Sequence, residues 1–255
     1  MGVLAIKARK NDTIIEVGYL SSRSASQGAV LKYIIKFLTE DDIQEIINLQ
    51  DIVLAKIKDS DTYYPVSKEV LKGLLNNGDT AMGVVISEEL VGFCIIHLPG
   101  LEQGNLGRDI EMSEEDLNTV AHIQFIFVHP DYWGYSIQNK LIKHVLNIVT
   151  DAGCRHVLCT ISPKNYYSLY NTLQWGFSIR EIKEKYGGLL RYILCKNISI
   201  DVNPRWHEIV TINRSDIEGQ KRLLEEGFQG FDVSKGSDGF IIHYGRGHTR
   251  STSER

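Results

Sequence analysis

"HPDYWGYSIQNKLI", from His129 to Ile142, is the stretch that decides how this chain is read. The residues before it, "VAHIQFIFV" from Val120 to Val128, are nearly all apolar, as expected of a central strand covered on both faces. After it, Ile137, Leu141, Val145 and Ile148 or Val149 recur on one helical face, and "DAG" closes the run. A strand therefore passes through a short turn with one glycine, Gly134, into a helix. A helix amino terminus offers unpaired N–H groups and a partial positive charge, so such a turn can hold a pyrophosphate. Gly134 would allow close approach, and the amides of Tyr135, Ser136, Ile137 and Gln138 would point at the anion. The same turn also serves as an ordinary strand-to-helix connection, because a single glycine is not a specific signal.

Toward the amino terminus, "AMGVVISEELVGFCIIHL" alternates around Ser87 to Glu89 and predicts an antiparallel hairpin. "YYPVSKEVLKGLLNNGD" predicts a short helix capped by Ser67 and stopped at "NNG". In "KYIIKFLTEDD" a strand runs into Thr39, which with Asp42 opens a helix carrying Ile43, Ile46, Ile47, Val53, Leu54 and Ile57. "TIIEVGYL" is a further strand, and "SSRSASQG" reads as a linker or flexible loop. A loop is expected from Pro99 to Thr119.

Toward the carboxy terminus follow a strand "HVLCTIS", a helix "NYYSLYNTLQW" and a hairpin about Gly187 and Gly188. Past "DVNP" come "EIVTI", a helix "SDIEGQKRLLEE" capped by Ser215, and two strands around "KGSDG". "LLEEGFQGF" echoes "TLQWGFSI" in placing Gly-Phe at a helix end, a weak hint of a partial repeat. The order is mixed α/β. Four segments are expected: an extension at 1–31, a main domain at 32–200, a small β-α-β-β module at 205–246, and a frayed tail at 247–255.

The chain has 255 residues, 43% hydrophobic and 24% charged, enough for one large core, and disordered or coiled-coil classes are excluded. A formal charge of -4 gives no reason to expect nucleic acid. Cys94, Cys154, Cys159 and Cys195 are scattered without metal-ligand spacing, so no metal is expected and the thiols read as buried and reduced. No apolar run reaches the roughly 20 residues of a membrane span, and "MGVLAIKARK" resembles neither a signal peptide nor a myristoylation signal. The expected compartment is the cytoplasm.

The joint pattern resembles the GNAT superfamily of acetyl-coenzyme A-dependent acyltransferases over roughly residues 32 to 197. Val128, Pro130, Tyr132 and Gly134 match that family's V-x-P-x-Y-R-G-x-G-x-G/A signature; Ser136 and Trp133 depart from it. Asn165, Ser168, Gly176 and Phe177 match its Asn, small residue and Gly-Phe. "NLGRDIEMSEEDL" and Gln138 are similar to a bacterial subgroup whose turn reads G-x-G-L-Q. The resemblance implies a GNAT-like mixed sheet with a small carboxy-terminal α+β module, and acetyl-coenzyme A as cosubstrate. It implies acetyl transfer to a primary amine of a small molecule or peptide.

By the same resemblance the backbone of Phe127 and Val128 would hold the pantetheine, the turn the pyrophosphate, and Asn165 and Ser168 would also contact cofactor or acceptor. Where many members carry a glutamate base this chain has Gln124, and where many carry a tyrosine acid it has Thr172. Tyr170, about 200° around the helix from Thr172, is a poor substitute. Strand alternation puts His122 on the face of Gln124, and imidazole takes a proton near neutral pH, so His122 is the candidate base. Tyr186, in "KYGG", would line the acceptor pocket or fill a turn. The acidic runs "TEDD" and "EMSEED" would suit a cationic amine or form solvated faces. A non-catalytic sensor on the same fold is the alternative, and a homodimer through the carboxy-terminal module is a further expectation.

Overall fold

A computed structural model describes residues 14–21, 30–200, 204–236 and 239–248. In chain order the first elements are β1 (Ile14–Ser21), β2 (Val30–Leu38), α1 (Ile43–Lys56), α2 (Lys68–Asn76), β3 (Thr80–Ile86) and β4 (Glu89–His97). Next come α3 (Glu114–Leu117), β5 (Val120–Val128), α4 (Ile137–Asp151), β6 (His156–Ile161), α5 (Tyr166–Leu173), β7 (Ser178–Lys185) and β8 (Leu189–Asn197). The chain then continues through β9 (Arg205–Asn213), α6 (Ile217–Glu225), β10 (Gln229–Gly236) and β11 (Gly239–His248). This is the expected mixed α/β order. The linker "SSRSASQG" lies mostly outside the described residues, whereas Gly247 and His248, read with the tail, complete β11. Two compact units arise, Met1–Gly100 with Ala121–Cys154, and Leu101–Val120 with Arg155–Arg255.

The first unit is built on strands in the order β1-β2-β3-β4-β5, each antiparallel to its neighbour. Alternation along β4 sends Phe93 and Ile95 to one face, where they join Ile43, Ile46, Leu49 and Val53 of α1 in a buried core. Gly92 faces the other way, toward Ile137 and Leu141 of α4. Each large side chain so buried contributes about 1.5–3 kcal/mol, which outweighs the weak intrinsic stability of short helices. Local chemistry sets the ends. Thr39 donates its N–H to Asp42 Oδ2 at 2.8 Å, and Ser67 Oγ accepts from Val70 N at 3.3 Å. Ser87 and Glu88 take the positive φ values of a tight hairpin, 50° and 68°.

In the second unit the strands run β6-β8-β7-β10-β11-β9. Two β-α-β-β modules, β6-α5-β7-β8 and β9-α6-β10-β11, share one connectivity, with the last strand of each lying between its first and second strands. The Gly-Phe echo is thus part of a structural repeat. Asn165 caps α5 by accepting from Ser168 N, and Asp216 caps α6 by accepting from Gly219 N. Ser215, the expected cap, instead bonds Asn213 Oδ1 at 2.8 Å. The modules meet at equivalent positions: Gly230 pairs with Ile179, and Ser178 Oγ donates to Gln229 Oε1 at 2.8 Å. A Cβ at Gly230 would lie 2.8 Å from Ile179, so only glycine permits this approach.

The segment expected as a plain loop carries structure. Asn105 Oδ1 accepts from Gly107 N at the start of a 3-10 turn over Leu106–Ile110, and Ser113 caps α3. Leu106 packs with Leu158, Ile193 and Cys195, so this segment covers one face of the β6–β8 pair. No helix among the described residues is long and apolar enough to cross a membrane. Cys94, Cys159 and Cys195 are buried and free, and burial pushes the Cys94 thiol up to about 12, leaving it inert.

Candidate functional site

In the first unit, β5 leaves its ladder at Val128, passes through a 3-10 turn at Pro130–Tyr132 and enters α4 through Gly134 and Ser136. Gly134 has φ 87°, with no atom within 4 Å of where its Cβ would stand. The space outside this glycine is therefore open. Ser136, the N-cap, has φ 61° and ψ 23°, the left-handed region, and its side chain makes no capping bond. The position thus requires the backbone that glycine adopts freely, which explains why glycine would be expected there. The amides of Ser136 and Ile137 have no acceptor among the described residues and open a 15-residue helix. Gln138 lies in that first turn, but Tyr135 N is turned inward and donates to Tyr132 O at 3.3 Å, so it departs from the expected anion-facing set.

Two neighbours complete the turn. Trp133 Nε1 donates to Val128 O at 2.8 Å, occupying a carbonyl that the family resemblance assigned to pantetheine. Nothing in the sequence pattern marks this bond, because the indole must reach back over the turn. Phe127 is buried and stacks on Phe93 at 5.3 Å, so its side chain belongs to the core and only its backbone is available. Burial, together with Glu89 and Asp131, raises Tyr132 and keeps its phenol neutral.

Further back on β5, the register against β4 shifts: Ile95 pairs with Phe125, but Ile96 pairs with Ile123. Gln124 is the extra residue of a bulge, and its Oε1 is buried with no hydrogen-bond partner among the described residues. The bulge interrupts the simple alternation that placed His122 and Gln124 on one face. It sets His122 opposite His97 instead, with ring centroids 5.9 Å apart. His97 Nδ1 lies 2.7 Å from Asp79 Oδ1. An imidazole oriented by a carboxylate beside His122 was missed by sequence reasoning, since Asp79 and His97 are 18 residues apart and only the β3–β4 hairpin register brings them together.

In the second unit, Asn165 Oδ1 accepts from Ser168 N at 3.1 Å, so the helix-cap role is realised and the amide nitrogen of Asn165 is left as a donor. Thr172 is buried, and Tyr170 is exposed and stacked on Tyr166. Tyr186, at φ 54°, turns its hydroxyl to Thr160 Oγ1 at 2.9 Å, the behaviour of a turn aromatic. Burial raises its phenol against the opposing pull of Thr160 and Arg191. The acidic run is occupied in structure: Asp116 bonds Ser113 Oγ and Arg155, and Glu115 also meets Arg155 at 3.2 Å. Among the described residues no cluster of His, Cys, Asp or Glu could hold a metal ion.

None of the curated protein sequences matches the chain. Among solved structures it is similar to an acetyltransferase of the GNAT family from Streptococcus pneumoniae, with TM-score 0.51 and 16% identity over 65% of this chain and 99% of that one. The ribosomal-protein-S18-alanine N-acetyltransferase from Escherichia coli gives TM-score 0.51 and 15% identity over 69% and 99%. An N-acetyltransferase from Staphylococcus aureus Mu50 gives 0.51 and 13% over 65% and 98%. At such identities these likenesses concern the fold. The family model for acetyltransferases of the GNAT family matches residues 41–177, more than half of the chain, and spans the hairpin, the bulged strand, the turn and the Asn165 cap. The chain belongs to the Acetyltransferase (GNAT) family.

Proposed function

We propose that this chain is an N-acetyltransferase that moves an acetyl group from acetyl-coenzyme A to a primary amine on a small molecule or peptide. The observation that carries the reading is the turn: open space over Gly134, left-handed backbone at Ser136, and amides of Ser136 and Ile137 at the head of α4 that have no acceptor among the described residues. This is the arrangement that a pyrophosphate requires. Acetyl-coenzyme A would supply the activated acetyl thioester. Gly134, Ser136, Ile137 and Gln138 would hold its pyrophosphate, and the backbone of Phe127 and Val128 would take the pantetheine through groups not already bonded. Ser168 and the amide nitrogen of Asn165 would contact cofactor or acceptor.

The amine needs an acceptor for its N–H and a base for its proton. Gln124 Oε1 is a buried acceptor without a partner among the described residues and would orient the amine. Gln124 does not titrate, so the proton falls to an imidazole, His122 as the base or His97 held by Asp79 beside it. Thr172 is not an acid that could protonate the departing thiolate, which would leave unassisted. The likeness of Gln138 and "NLGRDIEMSEEDL" to the G-x-G-L-Q subgroup belongs to the same proposal, supported by the capped, packed form of that segment.

A second reading, a coenzyme A-binding sensor or interaction module, is favoured by the buried Thr172 and the non-titrating Gln124. Any homodimer would form away from the inner edge of β7, which β10 covers. Isothermal titration of acetyl-coenzyme A and free coenzyme A against wild type and Gly134→Trp tests the turn. Wild-type binding is expected to be lost in the variant; binding equal in both, or absent from wild type, sinks the proposal. Acetylation across an amine panel then separates enzyme from sensor.

A further inference from the structure

A cavity of about 240 Å³ lies wholly within the second unit and has no part in the acyl-transfer reading. Both modules line it: His156, Ser178, Arg180 and Asn197 from the first, Trp206 and Gln229 from the second. His156 opens β6, whose six residues carry the chain roughly 17 Å, at about 3.3 Å per residue, before the Asn165 cap is reached. No aspartate or glutamate is among its described lining residues.

The polar groups here are sorted by sign. Gln229 Oε1 already accepts from Ser178 Oγ, and Asn197 Oδ1 accepts from Ser199 N and Oγ at 2.9 and 2.6 Å. With both acceptors taken, the amide nitrogens of Gln229 and Asn197 remain as donors. Arg180 is the extra residue where β7 slips register between Ile179 and Glu181, a bulge that re-aims its side chain. Its guanidinium makes no hydrogen bond or ion pair among the described residues, yet its charge acts on both His156 and Cys195, which border the cavity. Burial, with Arg155 and Arg180, lowers His156, opposed by Asp116 alone. Arg180, Lys196 and two amide donors therefore border a hollow with no counter-charge among its described lining residues.

We infer that this cavity binds a small organic oxyanion, a carboxylate or a phosphate ester, with Arg180, Asn197 and Gln229 donating to it and Trp206 walling its body. Arginine's planar fork suits either oxyanion. The volume falls below the roughly 300–1,000 Å³ of pockets for drug-sized ligands, which restricts the body to about a single ring.

The test is an NMR titration of the full chain with benzoate, phenyl phosphate and inorganic phosphate at constant ionic strength. The chain has three tryptophans, whose indole N–H signals are assigned by Trp→Phe variants. Trp206 borders the cavity, whereas Trp133 belongs to the turn before α4, so the two sites report separately. Saturable movement of the Trp206 signal is expected with at least one organic anion, and Arg180→Gln should weaken it about tenfold. Arg180 is exposed, so this variant is expected to fold. Stronger binding of phenyl phosphate or of benzoate identifies the class. No saturable movement at Trp206, movement at Trp133 alone, or equal affinity in Arg180→Gln would overturn the inference, whether or not the turn binds coenzyme A.

Discussion

Ser136 holds the left-handed conformation at φ 61° with no capping bond in return. A non-glycine residue there costs on the order of 1 kcal/mol, and nothing local offsets it. Ser136→Gly should therefore raise stability by about 1 kcal/mol, read as a higher urea midpoint at unchanged slope. If the hydroxyl donates to the bound phosphate, the same variant will bind coenzyme A less tightly despite its greater stability; equal or tighter binding would assign the anion contact to the amides alone. The sequence pattern could mark Ser136 as a departure, but the sign of φ decides what the departure costs. Gln124 is a parallel case, since a bulge is a property of pairing between strands and leaves no trace in the alternation of one strand.

β1 is fastened by one carboxylate. Glu16 accepts from the Tyr33 hydroxyl on β2 and from His144 Nε2 on α4 at 2.8 Å, with Lys140 Nζ 3.9 Å away. Burial pushes the carboxyl up, but Tyr33, His144 and Lys140 outweigh it, so Glu16 lies below its usual 4.5. A depressed carboxyl contributes stability that is whole above the unfolded value and is lost as pH falls through the folded one. Glu16→Gln should cost about 1 kcal/mol at pH 7, discounted for partial exposure, and the difference from wild type should close as pH falls below the usual carboxylate range and through the depressed folded value. Urea midpoints at several pH values check this; a difference that persists unchanged into acid would rule out the carboxylate as its source. Elements of this kind were legible where local chemistry sets them: Ser67 caps α2, and Ser87 and Glu88 turn the β3–β4 hairpin. The 99–119 segment was not, because Leu106, Ile110 and Met112 are too few to show a period and find their partners on β6 and β8 only after the chain has folded.

The repeat in the second unit shows a signal that sequence carries faintly because only its obligatory residues survive. Asn165 to Gly176 and Asp216 to Gly227 span equal distances from cap to helix-ending glycine, while among the intervening side chains only Leu173 and Leu224 coincide. What joins the modules is an amide. Gln220 is fully buried on α6; its Oε1 accepts from Tyr192 of β8 at 2.8 Å and Tyr244 of β11 at 3.0 Å. Its Nε2 donates to the carbonyls of Asn213 and Arg214 at 3.2 and 3.0 Å. Burial raises both phenols, so they are neutral donors near neutral pH. One side chain thus satisfies two hydroxyls from different modules and two carbonyls of the loop entering α6, and no water can replace it without space being opened. Gln220→Leu keeps the volume and deletes all four bonds. Asn213 O keeps its bond from Asp216 N, so three groups lose their partner; at about 1 kcal/mol or more for each, the loss should be about 3 kcal/mol. Because Tyr192 and Tyr244 lose their common acceptor together, β8 and β11 should also lose amide-exchange protection to a similar degree. Urea unfolding and hydrogen exchange on the full chain measure both effects. A loss below 1 kcal/mol, or deprotection confined to β11, would show that the modules are held by the Ile179–Gly230 pairing rather than by this amide.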